Sequence, residues 1–598
     1  MASAALKTVD SRETQHLHAV VDMGSNGIRF SISDLSPVTQ RIMPTVFQDR
    51  AGISLYDAQF GAEGGARRPI PDQVRDQIVS RLLRFKVTCE DFGVPEKNIQ
   101  VLATEATRTA PNSADFRAAI YRATGWEVTM LPKEEEGRIG GLGIASSLSR
   151  VEGLVMDLGG GSVQLSWMVS TPDSAEIQSY PGGSISFPYG AAALTRRLDE
   201  AQKIGDEAVR QLKNEMLGCF RGAVSALKLP ACLRERVESD AAGSGGLDLY
   251  LSGGGFRGWG YLLLSQSPVS PYPIPILNGF GTDRSRFLDT SAAIGTLSSE
   301  STIYGVSARR ATQVPAVAFL INVLAETIPS IRKIHFCQGG VREGVLFDKL
   351  QPEVRQQHPL IAATAPFKTG SASNIALLLR QAIPYADSKD ATNLYAPPLA
   401  ITSPGFIEAL ANSMYMHSSV PRASYASTAL HSTTTGILAY AHGLSHADRA
   451  MLCLALFDRW AGDVSPSDEL FLQRIRPILT LQEAWWCQYI GRVAGLVGSI
   501  YPAGVIRSGE DRISFSARLS HRQTKKGLTK HLLHLVTKIP DPKHPSFDGD
   551  SVTAGLKRIK RTGKKGEHLR GDEYEQTDLL DSEDEDWRLK VETELDCI

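Results

Sequence analysis

Short apolar runs that each deliver an aspartate to a glycine turn mark the first half of this chain. Leu154, Val155 and Met156 read as a buried strand ending at Asp157; Gly159, Gly160 and Gly161 then permit a tight reversal, and the chain returns over Val163–Val169. A glycine triplet between strands is ordinarily a plain hairpin. The same order recurs over residues 20–29, Val-Val-Asp-Met-Gly-Ser-Asn-Gly-Ile-Arg, followed by a returning strand to Ile32. Two β-Asp-Gly-β units imply two similar lobes whose turns face each other across a cleft. Consecutive turn amides free of side chains converge on one concavity and can cradle a phosphate, and an aspartate beside them can hold a hydrated Mg²⁺.

The intervening pattern is α/β. A third strand is expected near Arg41 to Phe47, then a glycine-rich surface loop, Gly61 to Pro71. An amphipathic helix follows through Phe92, with Val74, Ile78, Leu82 and Phe85 on one face. Further strands are expected at Val101–Leu102, Trp126–Met130, Leu247–Leu251 and Ile331–Phe336, with helices at Ala191–Leu198, Asp206–Leu227 and up to Ile328. A polar insertion ends near Gly246. From Gln351 to Arg518 the periodicity turns helical, with Trp485 and Trp486 as core or interface anchors. Leu556–Lys565 is basic and Asp572–Asp586 strongly acidic, so much of Asp541–Asp586 is expected to be solvated; Trp587–Leu595 alternates as a terminal strand that docks back.

Composition narrows the class. With 598 residues and 42% hydrophobic content, the chain can bury cores for more than two domains. Its 64 basic and 65 acidic residues leave no global field for nucleic acid or a membrane surface, so direct nucleic-acid binding is not expected. The seven cysteines (89, 219, 232, 337, 453, 487 and 597) show no Cys-x-x-Cys spacing and read as reduced thiols of a cytosolic or nuclear compartment; the chain is taken as cytoplasmic. Met1 to His18 lacks the apolar core of a signal peptide, and no run reaches membrane-spanning length.

The duplicated Asp-Gly layout resembles the actin, hexokinase and Hsp70-like (ribonuclease H-like) ATPase superfamily. The neighbouring motifs Ala103-Thr-Glu-Ala-Thr-Arg108, Glu135-Glu136-Gly137-Arg138, Asp157-Leu-Gly-Gly-Gly-Ser162 and Gly340-Val-Arg342-Glu343-Gly344 resemble the exopolyphosphatase and guanosine pentaphosphate phosphatase (Ppx/GppA) family. Gly27, where most bacterial members carry Ser, makes the first turn most similar to the family's fungal retrograde-regulation branch. The resemblance covers about residues 18–350 and implies a phosphate- or nucleotide-binding cleft built on Asp22, Gly24, Ser25, Asn26, Asp157, Gly159, Gly160, Gly161, Ser162, Gly253, Gly254 and Gly255. It also implies Arg108 as a phosphate contact and Glu135, by alignment on Arg138, as catalytic base. The family's metal site falls on Asp157 and Gln164. Hydrolytic members usually carry Glu at the latter place, so Gln164 removes a carboxylate from any Mg²⁺ site.

The domains implied are a flexible N-terminus (1–17), two α/β lobes (18–150 and 151–350), a helical HD-like domain lacking the His-Asp metal pair (351–540) and a charged flexible tail (541–598). In that helical domain Phe457 stands before Asp458 where a metal-binding member would carry His, while His431, His442 and His446 read as structural or solvent-exposed. Two functions remain open. One is a cytosolic signalling regulator that binds ATP or another polyphosphorylated ligand between its lobes and relays it to protein partners, in what the family resemblance implies is mitochondria-to-nucleus retrograde signalling. The other is a Mg²⁺-dependent phosphohydrolase acting on polyphosphate or guanosine pentaphosphate. The resemblance implies regulatory protein partners and leaves a homodimer open.

Overall fold

In a computed structural model the described residues are 14–60, 67–170, 176–240, 245–299, 302–328, 330–384, 394–461, 464–523, 529–545, 547–563 and 587–597. Residues 1–13, the glycine-rich stretch 61–66 and the acidic block 572–586 therefore lie outside the description.

The first sheet grows from β1 (Leu17–Gly24) and β2 (Gly27–Asp34), an antiparallel hairpin whose tip pairs Gly24 with Gly27. β3 (Thr45–Ala51) extends it on one side, somewhat later in the chain than the pattern implies, because residues 40–42 form a single 3₁₀ turn that buries Arg41. Helix α1 (Asp72–Phe92) crosses the sheet, burying Ile78, Leu82, Phe85 and Cys89, with the rings of Phe30 and Phe85 5.1 Å apart. β4 (Ile99–Ala103) then runs parallel to β1, and β5 (Val128–Met130) parallel to β4, so the order is β3-β2-β1-β4-β5. β1 buries Ala19 to Met23 without alternation, as expected of a central strand covered on both faces.

The second sheet repeats the plan. After α2 (Lys133–Ser146), β6 (Glu152–Leu158) and β7 (Val163–Val169) form the equivalent hairpin, and β8 (Gln178–Ser179) and β9 (Ile185–Phe187) both pair with β7. Helices α3 (Ala191–Ile204) and α4 (Asp206–Ala226) follow. β10 (Leu247–Ser252) is parallel to β6 and leads into α5 (Gly254–Ser265); β11 (Gly281–Asp283), α6 (Val314–Thr327) and β12 (Ile331–Phe336) complete the sheet. In both lobes an Asp-ended strand lies between its hairpin partner and two parallel strands. This is the duplicated actin-like α/β fold.

The two lobes are joined by α2 and α7 (Val341–Lys349). A Cβ on Gly143 would fall 2.2 Å from the carbonyl oxygen of Gly340, and one on Gly344 only 1.9 Å from that of Ile139, so glycine is what lets the backbones touch. Their apolar faces share one core with both sheets: Val20 and Leu102 from the first, Val155 and Met168 from the second, and Leu142, Ala145 and Phe347 from the helices. Arg41 locks the end of α2, donating to the carbonyls of Ser146 (3.3 Å) and Leu148 (2.9 Å).

The chain divides into two compact units, Met1–Gln266 with Leu277–Gln357, and Ser267–Ile276 with His358–Ile598. The second is mainly helical. It contains α8 (Ala372–Gln381), α9 (Pro404–Ser413), α10 (Tyr425–His431), α11 (His446–Trp460), α12 (Pro466–Ile475) and α13 (Leu481–Ile500), with Trp485 and Trp486 buried. A sheet of β13 (Ser514–Gln523), β14 (Thr529–Ile539) and β15 (Leu589–Cys597) follows, with β15 parallel to β14. Between β14 and β15 the structure departs from the expectation of solvated chain: α14 (Gly549–Lys560) buries Val552, Leu556 and Ile559. Its apolar stripe at helical spacing is masked in composition by the Lys and Arg residues interleaved with it.

Candidate functional site

The glycine turn after β6 is held from behind. Its carbonyls at Gly159, Gly160 and Gly161 accept from the backbone N–H groups of Ala191, Ala192 and Gly190, respectively, at the start of α3. Across a trans peptide the N–H points opposite to the C=O, so the amides of Gly160, Gly161 and Ser162 are turned away from α3 and toward the cleft. The first hairpin turn meets this one directly. A Cβ on Gly160 would lie 2.4 Å from the amide carbon of Asn26, so a side chain there would drive the turns apart. Gly24, Ser25, Asn26, Gly159, Gly160, Gly161 and Ser162 all line a cavity of about 130 Å³, together with Gly253 and Gly254 from the start of α5.

Five arginines also line it: Arg29, Arg50, Arg257, Arg309 and Arg310. Arg309 donates to Asn26 Oδ1 at 3.0 Å and to Asp57 Oδ2 at 2.8 Å; Arg310 is tied to the carbonyl of Gly305 at 2.9 Å. Arg257 has no hydrogen-bond acceptor among the described residues. Burial, with the nearby charges of Arg29 and Arg310, pushes it down to about 10. Burial and neighbouring guanidinium groups likewise lower Arg50 and Arg310. Like charges are thus concentrated where three carboxylates, Asp22, Asp157 and Glu136, are the acidic lining.

The hairpin register sets the acids. Asp22 lies opposite Arg29, 4.0 Å from its guanidinium, and Asp157 lies opposite Gln164. Burial raises Asp22, against the pull of Arg29 and Arg342. Asp157 is pushed up to about 6, burial outweighing the pull of Arg29, with Asp22 adding to the rise. Glu136 reaches about 7, burial outweighing Arg108, with Glu105 and Asp22 adding to the rise. Behind Glu136 a chamber of about 30 Å³, room for one water molecule, is lined by Asp157, Gln164, Ser166 and Ser184. Ser184 Oγ is buried there with no hydrogen-bond partner among the described residues.

These oxygens suit a hard cation. Mg²⁺ is commonly held by one or two carboxylates plus substrate phosphates, and Asp22 and Asp157 are two carboxylates whose charged forms burial disfavours. Gln164 donates through Nε2 to Ser162 Oγ at 3.2 Å, leaving its carbonyl as a further neutral oxygen. Among the described residues no group of three or more His, Cys, Asp or Glu side chains is assembled as a metal cage.

Three residues expected at the site are placed elsewhere. Glu135 does not line the cleft; Arg138 holds both its oxygens, at 2.9 and 2.8 Å, and also binds Asp348 of α7. Its neighbour Glu136 faces the cleft instead. Arg108 is spent on Glu136 Oε2 (3.2 Å) and the carbonyl of Leu131 rather than pointing into the cavity. Gly255 is a packing glycine, where a Cβ would strike Leu158 at 2.4 Å. Arg29, Arg50, Arg257, Arg309 and Arg310 were not among the residues expected at the site. The Arg309-Arg310 pair and the Arg257 after the Gly253 turn were visible signals, but only the fold brings them to one cavity.

Comparison with known proteins follows the same division. Residues 32–229 and 279–353 match the Ppx/GppA phosphatase family, and residues 358–584 match the RTG2 C-terminal domain. Retrograde regulation protein 2 of Saccharomyces cerevisiae is 39% identical over 509 residues, which is 83% of this chain and 82% of that protein. Exopolyphosphatase 1 of Mycobacterium tuberculosis is 27% identical over 342 residues, 56% of this chain and 88% of the relative. The crystal structure of the Aquifex aeolicus Ppx/GppA family member superposes with a TM-score of 0.42 at 21% identity, over 56% of this chain and 98% of that one.

Proposed function

The chain belongs to the Ppx/GppA phosphatase family and is related over most of its length to yeast retrograde regulation protein 2; from that premise we propose that its cleft binds the phosphates of a nucleotide or polyphosphate and that the protein is a regulator in retrograde signalling. The observation that carries the reading is the set of five guanidinium groups facing two glycine turns. An oxyanion chain between them would satisfy turn amides and arginine forks together, and would relieve the mutual repulsion of the arginines. Bound phosphate would bridge the lobes, because Asn26 and Arg29 come from the first and Gly160, Arg257 and Arg310 from the second. That bridging is the step that would be passed to protein partners, acting in the cytosol on the mitochondria-to-nucleus route.

Hydrolysis of the terminal phosphate is the second reading, favoured by Glu136. A carboxylate raised to about 7 beside a one-water chamber has the proton affinity of a general base near neutral pH. Arg108 would hold it in place, Glu136 would take a proton from the water, and the arginines would stabilise the charge developing on the phosphoryl oxygens. Mg²⁺ held by Asp22 and Asp157 would supply further charge neutralisation; Gln164 weakens that site relative to one with a third carboxylate.

The experiment that separates the readings follows phosphate release and binding in the same samples, using ATP, guanosine pentaphosphate and polyphosphate with Mg²⁺. A regulator binds without appreciable turnover, and Gln164→Glu raises turnover. A hydrolase turns over and loses about 10²-fold or more in rate in Glu136→Gln, with little change in Glu135→Gln. Failure of all three compounds to bind the native protein would overturn both.

A further inference from the structure

A short piece of the second unit comes from the middle of the first unit's sequence. Ser267–Ile276 follows the end of α5 and hands the chain back at Leu277, with prolines at 268, 271, 273 and 275. A proline fixes its own φ and keeps the residue before it extended, so a segment this rich in proline acts as a semi-rigid spacer. Within the second unit it is gripped at the start of α11. The carbonyl of Ile276 accepts from Nε2 of His446 at 2.8 Å, which leaves Nδ1 of the neutral ring to accept from the hydroxyl of Tyr272, also at 2.8 Å. The two rings lie 5.4 Å apart, Ile274 is fully buried, and α11 continues from His446 as a helix whose residues 448–458 are all buried.

In the first unit both ends of the segment attach to elements of the cleft. Helix α5 starts at Gly254 and carries Arg257, and both residues line the cavity. Toward its other end the carbonyls of Leu263 and Gln266 accept from Arg286 Nη2 at 3.3 and 3.2 Å. On the return, Asn278 is buried; its Nδ2 donates to the carbonyl of Ser147 at the end of α2, and its Oδ1 accepts from the N–H of Gln338, each at 2.9 Å. Helix α2 carries Glu136 to the cavity, and Gln338 lines it as well. Each of these bonds lies within one unit, and what joins the units here is the covalent chain. A stiff segment tied at both ends has few soft torsions in which a shift of α5 could be lost.

We propose that residues 267–276 are a strap that couples occupancy of the cleft to the first turn of α11, and so carry the regulatory output of the first unit into the second. The proposal rests on the reading of the cleft as an anion site. An anion held by Arg257 and the Gly253 turn fixes the start of α5; the strap passes that restraint to Tyr272 and, through His446, to α11. Such coupling is reciprocal, so whatever engages α11 alters the affinity of the cleft by the same factor.

Hydrogen exchange on the full chain, with and without saturating tripolyphosphate, tests it. In the native protein the anion is expected to slow exchange at the cleft turns, residues 24–27 and 159–162, and also at residues 446–452, there by about fivefold, the lower end of usual coupling between sites. Tyr272→Phe removes one bond to His446, and Pro268→Gly softens the strap at an exposed position. Both variants are expected to lose most of the slowing at 446–452 and to keep it at the cleft turns. Slowing at the cleft turns alone in the native protein, or slowing at 446–452 of native size in both variants, would overturn the strap and leave the anion site standing. Absence of slowing at the cleft turns themselves would overturn the anion reading, and the strap with it.

Discussion

Glu135 and Glu136 are adjacent in sequence and opposite in environment. Glu135 is lowered by its hydrogen bonds to Arg138, whereas Glu136 is pushed up to about 7 by burial. A carboxyl whose folded value is raised contributes stability that is full below its unfolded value, near 4.5, and is lost as pH rises through about 7. Glu136→Gln is therefore predicted to stabilise the unliganded protein at pH 8 by up to about 3 kcal/mol and to have little effect at pH 5, as read from urea unfolding. Binding and turnover separate in the same window. For an anion of constant charge, affinity rises as pH falls through 7 toward 6, because Glu136 and Asp157 become neutral; any hydrolysis needing ionised Glu136 falls. Titrations and rate profiles that moved together across that range would contradict this. That Glu136 rather than Glu135 lines the cleft has a physical origin. Three successive glutamates open α2, and which one faces the cleft depends on helix phase. That phase is fixed in part by Asp348, more than 200 residues away, reaching back to Arg138.

At the scale of elements, the Asp-Gly hairpins were legible because local chemistry determines them: an apolar strand, a small-residue turn and an alternating return. Both appear as β1–β2 and β6–β7. The arginine lining was not, since Arg29, Arg50, Arg257, Arg309 and Arg310 come from separate segments, and each reads alone as an ordinary surface cation. Helix α14 was hidden for a related reason, its three apolar positions sitting in a run dominated by basic residues. The crossing of α2 and α7 offers the sharpest test at this scale. Gly143→Ala places a methyl group 2.2 Å from the carbonyl oxygen of Gly340, backbone that has no rotamer by which to yield. It is expected to lower stability by about 1–3 kcal/mol in denaturant titration and to weaken anion binding by splaying the lobes. A variant as stable as the native protein would show that the helices can part without cost.

For the whole molecule, the cleft lies within the first compact unit, assembled from both lobes, while the second unit has its own helical core and three-stranded sheet. Among the described residues no helix is long and apolar enough to cross a membrane. The proposed function depends most on anion recognition by the arginines across the cleft. Calorimetric titration of the full chain with tripolyphosphate, repeated at increasing salt, tests that directly. Native protein is predicted to show a binding event that weakens with salt, and Arg257→Gln is predicted to weaken it about 10- to 100-fold, the loss of one charge-assisted contact. Unchanged affinity in Arg257→Gln and in the Arg257→Gln/Arg310→Gln double variant would contradict the account and take the arginine cluster out of the cleft's function.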